Sequence, residues 1–518
     1  MPDLFIDAEP LTIARATRWA RGQPQFTFAP AALDRLVADR AVVEAHAAAG
    51  VPIYGLTTGL GGNLGYRLST DEVLAYQRQI ILGRMIGMGE PLPIAVVRTA
   101  MLARLHALAR GGTGVSVGAA QGLLALFNAG VTPVVPRLGS IGAGDLGLCA
   151  HMAAPVIGEG EVFFQGERMP AAQALRRAGL VPVTLLPKDG LGLINASPIT
   201  AGYAAVVADR LDTTLLTAVA VAALAAEGYA ANLGVYDARI AQARPAGAQR
   251  QVATLFRTLL AGSSLYVGAA RAIQDAIAFR TTAQVFGAAY AAHGLLCEAV
   301  EVELNGISDS PIVFADRGDM VSSPNFHTSM IALAFDAMAV ALVQLASASV
   351  QRIIKLQTPH LSGLPKYLSP VGGASVGFNA MQKTAAAIHA EIRLHAMPAS
   401  TDAIVVSDTV EDHATHAPLA IRKLDAQMDL LRQLLAIEAM VAAQAVDLRQ
   451  GGALGTGSAA VHVQVRAAVP PLDQDRPAGR DAMAIASVLF ADPLVDRLRS
   501  IAMAGLASSA ERLPGLDR

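Results

Sequence analysis

Thr200–Asn232 reads TAGYAAVVADRLDTTLLTAVAVAALAAEGYAAN. It is alanine-rich and apolar, and Thr213–Ala226 within it carries no charge. A run of that length and composition predicts a long buried helix, and its uncharged part is too short to cross a bilayer. The same pattern recurs on either side of breaks rich in Gly, Pro, Ser and Asn. It predicts helices over Ser264–Ala299, Thr328–Ile354, Asn379–His395 and Ala414–Leu448. The N-terminal part differs. A helix is expected over Ala31–Ala49, opened by Pro30 and stopped by Gly50 and Pro52. The Gly-rich segment YGLTTGLGGNLG (Tyr54–Gly65) then reads as a loop. Asp71–Gly111 returns to helical spacing, interrupted at Gly89–Pro93. A second Gly/Pro-rich stretch, Pro133–Ala150, runs into a helix near Leu146–Ala154. Within Val162–Val183, FFQGERM reads as a short hairpin before a helix at Ala171–Ala178. The expected class is mostly α, a loop-rich part over 1–200 and a long-helix bundle over 201–518.

The chain has 518 residues, 53% hydrophobic and 16% charged, with a formal charge of −2. So few charges, with so much apolar helix, imply extra buried surface, most simply between subunits. Near-neutral charge gives no broad field for nucleic acid or an anionic membrane. The longest uncharged stretch, Gly111–Pro136, is broken by glycines, Gln121, Asn128 and Pro133 and makes a poor span. Cys149 and Cys297 form no disulfide framework, and the N-terminus shows no apolar signal region. A soluble cytoplasmic protein is expected.

Several polar positions are candidates for chemistry, each with an ordinary alternative. Tyr54 can act as a base on a loop that closes, or anchor the loop start. Gly139-Ser140-Ile141-Gly142-Ala143-Gly144-Asp145 allows close backbone approach and opens a helix whose N-terminus favours negative charge; Asp145 alone reads as an N-cap. Asn195, in DGLGLINASP, reads singly as a turn residue. In QDAIAFRTTAQVFG, helical spacing puts Gln274, Ile277, Thr281 and Gln284 on one face beside Arg280. An arginine among amides suits a bidentate carboxylate or an interface ion pair. ELNGISDSPI and SSPNFH are turn-rich connections in which Asn325 and Phe326 can line a pocket. VEDHATH puts His413 and His416 beside Asp412, but no HExxH or CxxC supports a metal, and none is expected.

Taken in order, YGLTTGLG, GMGEPLP, GSIGAGDLG, DGLGLINAS, QDAIAFR, ELNGISDSP, NFH, LSGLP and VEDH resemble the histidine/phenylalanine ammonia-lyase and aminomutase family. That family uses a methylidene-imidazolone (MIO) electrophile. The resemblance implies a mostly α, fumarase/aspartase-like architecture and a homotetramer whose active sites draw on three subunits. It implies that Tyr54 takes the substrate's β-proton and Arg280 holds its carboxylate. Asn195, Gln274, Phe326 and Glu411 complete the pocket. The family's substrates are histidine and aromatic α-amino acids.

Three positions depart from the family pattern. MIO forms from Ala-Ser-Gly: the glycine nitrogen attacks the alanine carbonyl, and the serine loses water. Here Gly144 follows Ala143 directly, so there is no β-hydroxyl to eliminate, and Ser140-Ile141 and Ser362-Gly363 do not replace it. Ile277 stands where the family has a tyrosine. Gly83-Arg84 stands where it has Ser-His or an apolar pair, so Arg84 offers a cation to a polar substrate end or to Asp145 or Glu411. The implied activity is a lyase acting without MIO on an amino acid or its betaine. An ergothioneine-like substrate, whose trimethylamine leaves unaided, is an example. The alternatives are an ordinary MIO-dependent ammonia-lyase, which needs a serine absent from this loop, and a non-catalytic binding protein.

Overall fold

The computed structural model describes residues 4–22, 24–50, 53, 55–59, 65–68, 70–267, 270–402 and 404–507. The chain folds into two compact units. The first comprises Met1–Asp209, Cys297–Phe335 and Pro398–Ile421, and the second Arg210–Leu296, Asp336–Met397 and Arg422–Arg518. A single cut at residue 200 therefore misses two later segments that pack with the N-terminal part.

The protein is mostly helical, as the sequence predicts. Punctuation by proline and glycine fixes many ends. Helix Pro30–Ala48 has proline in its first turn, and Gly50 beyond it takes φ +65°. Helices Thr70–Leu82 and Ile94–Arg110 flank the short strand Met88–Pro91. The expected hairpin is Glu161–Phe164 paired with Glu167–Pro170, followed by helix Ala171–Ala178. Its two turn residues, Gln165 and Gly166, both have positive φ (54° and 81°), as a two-residue hairpin turn requires.

The first unit is built on Ile94–Arg110, buried over almost its whole length. Gly202, in helix Pro198–Tyr229, lets that helix close on Ala100: an added Cβ would lie 2.7 Å from Ala100 Cα. Two buried arginines are held in different ways. Arg104 meets Asp309 with two bonds of 2.8 Å and also donates to the Gly192 carbonyl. Arg98 donates to Ala20 O at 2.9 Å and lies 4.2 Å from the centre of the Phe127 ring.

The second unit is a bundle with apolar residues such as Leu424, Met428, Leu431 and Leu435 in its core. Arg352 and Glu438 form a buried pair at 2.5 Å, and Ser349 completes the carboxylate's bonding. Among the described residues, three helices are long and apolar enough to cross a membrane by length and composition. Within one of them, the run Asp189–Tyr229, the apolar 18-residue stretch is 94% buried inside the protein. The corresponding stretches in the helices Thr282–Asn305 and Ser329–Leu356 are 50% and 56% buried, and Val302, Met330, Leu333 and Val340 on them are exposed.

One expected helix is corrected. Ser264–Ala299 is not continuous. It comprises a short 3-10 turn, the four-residue helix Ile277–Arg280 and the helix Thr282–Asn305. Ala276 is extended (ψ 147°) and Thr281 leaves helical geometry at φ −107°. Buried Asp275 accepts from the Asn232 backbone at 2.6 Å, which ties the segment down outside a helix.

Candidate active site

Ser140 opens the loop Gly139–Gly147. Its hydroxyl donates to Asp145 Oδ1 at 2.8 Å and accepts from Gly142 N at 3.1 Å. Gly142 and Gly144 take φ of +81° and +75°, a region side chains avoid. Asp145 stands at the head of helix Leu146–Ala153 without capping it. Its carboxylate instead accepts from Thr200 N (2.7 Å) and Thr200 Oγ1 (2.8 Å). The N-cap reading is thus corrected by a long-range partner. Burial pushes this carboxyl up, and the Thr200 and Ser140 bonds pull it back.

The Gly142 carbonyl is a hub. It accepts from Thr328 Oγ1 and Thr415 Oγ1, each at 3.0 Å, and from Thr328 N at 3.3 Å. Ala143 pairs with His327 in a lone antiparallel bridge, and Gly144 N donates to Phe326 O at 3.0 Å. MIO formation would join the nitrogen of Gly144 to the carbonyl two residues back. That carbonyl is Gly142's, and the residue between them is Ala143, whose methyl has no hydroxyl to lose. Both reacting groups already hold hydrogen bonds. The residues of this loop do not fit the cofactor.

Asn195 is buried and donates from Nδ2 to Ser310 O at 2.5 Å. The buried Arg104–Asp309 pair stands directly before Ser310 and fixes that acceptor. A Cβ added to Gly144 would lie 3.8 Å from Asn195 Oδ1 and 3.7 Å from Phe326 Cβ. The structure therefore brings together Ala143, Gly144, Asn195 and Phe326. Glu411 is exposed at the end of a tight turn closed by its backbone bonds to Val406 (2.9 and 3.3 Å). Arg84 follows the helix Thr70–Leu82, half-buried, and among the described residues it forms no ion pair. Pairing with Asp145 is not seen, since that carboxylate is held by Ser140 and Thr200. Tyr54 lies outside the described residues. Beside it, Ile53 O gathers the backbone N–H groups of Leu56, Thr57 and Thr58, so the loop entry is a tight turn.

Gln274, Ile277 and Arg280 belong to the second unit. The shared helical face expected for them is corrected: Gln274 precedes the short helix. Arg280 nevertheless reaches back to it, Nη1 to Oε1, at 2.5 Å. Ile277 is 59% exposed and lines a cavity of about 670 Å³ with Thr281, Gln344, Gln351, Lys355 and His389.

Two features escaped the sequence reading. Glu303, near the end of helix Thr282–Asn305, is half-buried, and burial and then the Asp145 charge push its carboxyl up to about 7. His327 Nε2 lies 3.0 Å from His413 Nδ1, and His327 Nδ1 lies 2.8 Å from Ser329 Oγ. Burial and the neighbouring His413 lower the pKa of His327. The quoted motifs NFH and VEDH contained both histidines, but nothing local links residues so far apart. His416 faces Asp402 at 3.7 Å instead of joining His413. Among the described residues no group of three potential metal ligands is found.

Comparison with known proteins matches this architecture. A model of the aromatic amino acid lyase family matches residues 11–467. Histidine ammonia-lyase of Myxococcus xanthus is 38% identical over 503 residues, 96% of this chain and 99% of the relative. The structure of ergothionase from Treponema denticola, in complex with desmethyl-ergothioneine sulfonic acid, superposes with a TM-score of 0.92 at 30% identity. It covers 95% of this chain and 99% of that one. Histidine ammonia-lyase from Trypanosoma cruzi gives 0.88 at 28% identity, covering 97% of each chain. The chain belongs to the aromatic amino acid lyase family and is, by class, a carbon–nitrogen lyase.

Proposed function

We propose that this enzyme eliminates a tertiary amine from an amino-acid betaine, ergothioneine being the model substrate, and does so without MIO. The observation that carries the proposal is Gly142-Ala143-Gly144: the central residue has no hydroxyl, and Gly144 N–H is given to Phe326 O. A primary amine is a poor leaving group and needs an electrophile. A trimethylammonium leaves as neutral trimethylamine and needs none. In this reading Tyr54 removes the β-proton, the C–H electrons form the Cα–Cβ double bond, and the C–N pair departs with the amine. Arg280, steadied by Gln274, holds the carboxylate, and Arg84 meets the polar far end of the substrate. Asn195, Phe326 and Glu411 shape the pocket. The likeness to an ergothionase supports the substrate class, though the relative at 38% identity is named histidine ammonia-lyase. The proposal includes a homotetramer with shared sites, for which exposed apolar positions on the half-buried helices offer contact surface. They are Val302, Met330 and Leu333 in the first unit and Val340 in the second. The proposal also includes a soluble cytoplasmic location, in keeping with two buried cysteines that form no disulfide.

The test combines three measurements. Intact-protein mass spectrometry should give the unmodified mass, and borohydride should not inactivate. Purified enzyme should release trimethylamine from ergothioneine and no ammonia from histidine. A mass short by two waters, with ammonia released from histidine, overturns the proposal in favour of an ordinary MIO-dependent enzyme. Release of neither amine favours a binding protein.

A further inference from the structure

A short turn, Gly83–Gly87, joins the helix Thr70–Leu82 to the strand Met88–Pro91 and carries Arg84. Its first backbone bonds are local. Arg84 N donates to Ile81 O (3.1 Å), Met85 N to Leu82 O (3.2 Å) and Ile86 N to Arg84 O (2.8 Å). Gly87 N breaks this pattern and donates to a side chain, Nε2 of His151, at 3.0 Å. His151 stands in the last turn of the helix Leu146–Ala153, which starts directly after Ala143-Gly144-Asp145. One helix is therefore continuous with the glycine loop at its start and tied to the Arg84 turn near its end.

The turn also rests on the glycine loop itself. A Cβ added to Gly147 would lie 2.9 Å from Ile86 Cγ1, and one added to Gly139 would lie 3.1 Å from Gly87 Cα. Those two glycines admit the turn at close range. Just beyond Gly87, Met88 pairs with Leu138. Apolar contact and close backbone approach set how near the turn lies, but they have little direction. The His151 bond has direction, since it needs the nitrogen lone pair in line with the Gly87 N–H. Nε2 can accept only while it carries no proton, so the ring is neutral with its proton on Nδ1. Burial lowers the pKa of His151, which favours that state.

We propose that His151 is a positioning residue: it fixes the turn that carries Arg84 and so sets where that guanidinium meets the polar far end of the substrate. The role rests on the recognition by Arg84 proposed above. In it His151 makes no contact with substrate and takes no part in the elimination. Without its acceptor, Gly87 N–H loses its partner and the turn loses its directional tie three residues from Arg84.

The test is a double-mutant cycle on Arg84 and His151, run on whichever substrate wild type consumes. His151→Phe keeps a ring without the acceptor, and His151→Asn is too short to reach Gly87. His151→Gln puts an amide oxygen near the place of Nε2. The first two should raise KM about 3–10-fold with kcat within about twofold of wild type. His151→Gln should stay close to wild type. On an Arg84→Leu background the His151 substitutions should add nothing further. An unchanged KM in His151→Phe and His151→Asn, or the same rise with and without Arg84, overturns the positioning role. So does a loss confined to kcat. Arg84→Leu with unchanged KM refutes the recognition reading and the positioning role with it. A raised KM there, with the His151 variants like wild type, refutes the positioning role alone. A second readout needs no turnover. Backbone hydrogen–deuterium exchange over residues 83–88 should quicken in His151→Phe and His151→Asn, not in His151→Gln, with Ile94–Arg110 unaffected. Equal exchange in all four proteins, or a rise that spreads to Ile94–Arg110, overturns the tie whatever the substrate.

Discussion

Replacing Glu303 by glutamine isolates the least stable charge state near the loop. The carboxyl is pushed from 4.5 up to about 7, first by burial and then by Asp145. Below about pH 4.5 it is protonated in both folded and unfolded chains and contributes nothing to the difference. Between about 4.5 and 7 the unfolded chain releases the proton while the native protein keeps it. Stability therefore falls as pH rises through this window, and above about pH 7 the penalty is fully present. At about 1.36 kcal/mol per pH unit the whole displacement is about 3 kcal/mol, or about 2–3 for a side chain only half-buried. Glutamine keeps the volume and cannot ionise. Glu303→Gln should match wild type near pH 4.5 and exceed it by about 2–3 kcal/mol at pH 8. An unfolding entropy of about 2.1 cal/mol/K per residue over 518 residues makes that about 2–3 °C in Tm if the chain melts as one unit. Thermal melts of both proteins from pH 4.5 to 8.5 decide it. Parallel curves across that range refute the assignment of a raised pKa to Glu303.

Gly142→Ala places a methyl at φ +81° against Thr415 Oγ1, with Ala417 N 3.0 Å away. Strain and overpacking should cost about 2–4 kcal/mol in denaturant titration, and a neutral result denies the loop its hub. Asp309→Asn leaves buried Arg104 without its counter-charge. It should cost about 3 kcal/mol by the same assay, with Asn195 losing its fixed acceptor. Arg84→Leu should raise KM for a substrate with a polar far end by about 10-fold or more, and an unchanged KM removes Arg84 from recognition. Tyr54→Phe should abolish turnover with the fold intact by circular dichroism; full activity there means the base lies elsewhere.

How much was legible in the sequence varied with the range of the forces involved. Helix Ala171–Ala178 emerged with the expected bounds because proline and glycine stand at its ends. The helix predicted across Ser264–Ala299 failed because its spacing is helical while Asp275 binds Asn232 N, a partner outside the segment. Asp145 has the position of a cap and lost that role to Thr200 for the same reason. The missing hydroxyl was legible at once, since it is a covalent fact of Ala143-Gly144. The closeness of Gly144, Asn195 and Phe326 was available only through the resemblance. The His327–His413 contact joins segments that no local pattern connects, so it was not available at all. Glu303's raised pKa comes from burial, which depends on the whole fold.

The loop's hydrogen bonds hold its shape without any covalent ring. A covalent ring would fix the backbone around Gly142–Gly144 by itself. Here three donors converge on the Gly142 carbonyl, Ser140 braces Asp145, and Gly144 N is held by Phe326 O. At about 1 kcal/mol net for each bond, together they suffice to hold two glycines at positive φ. The same bonds position Phe326 and His327 on one side and the Thr415 segment on the other.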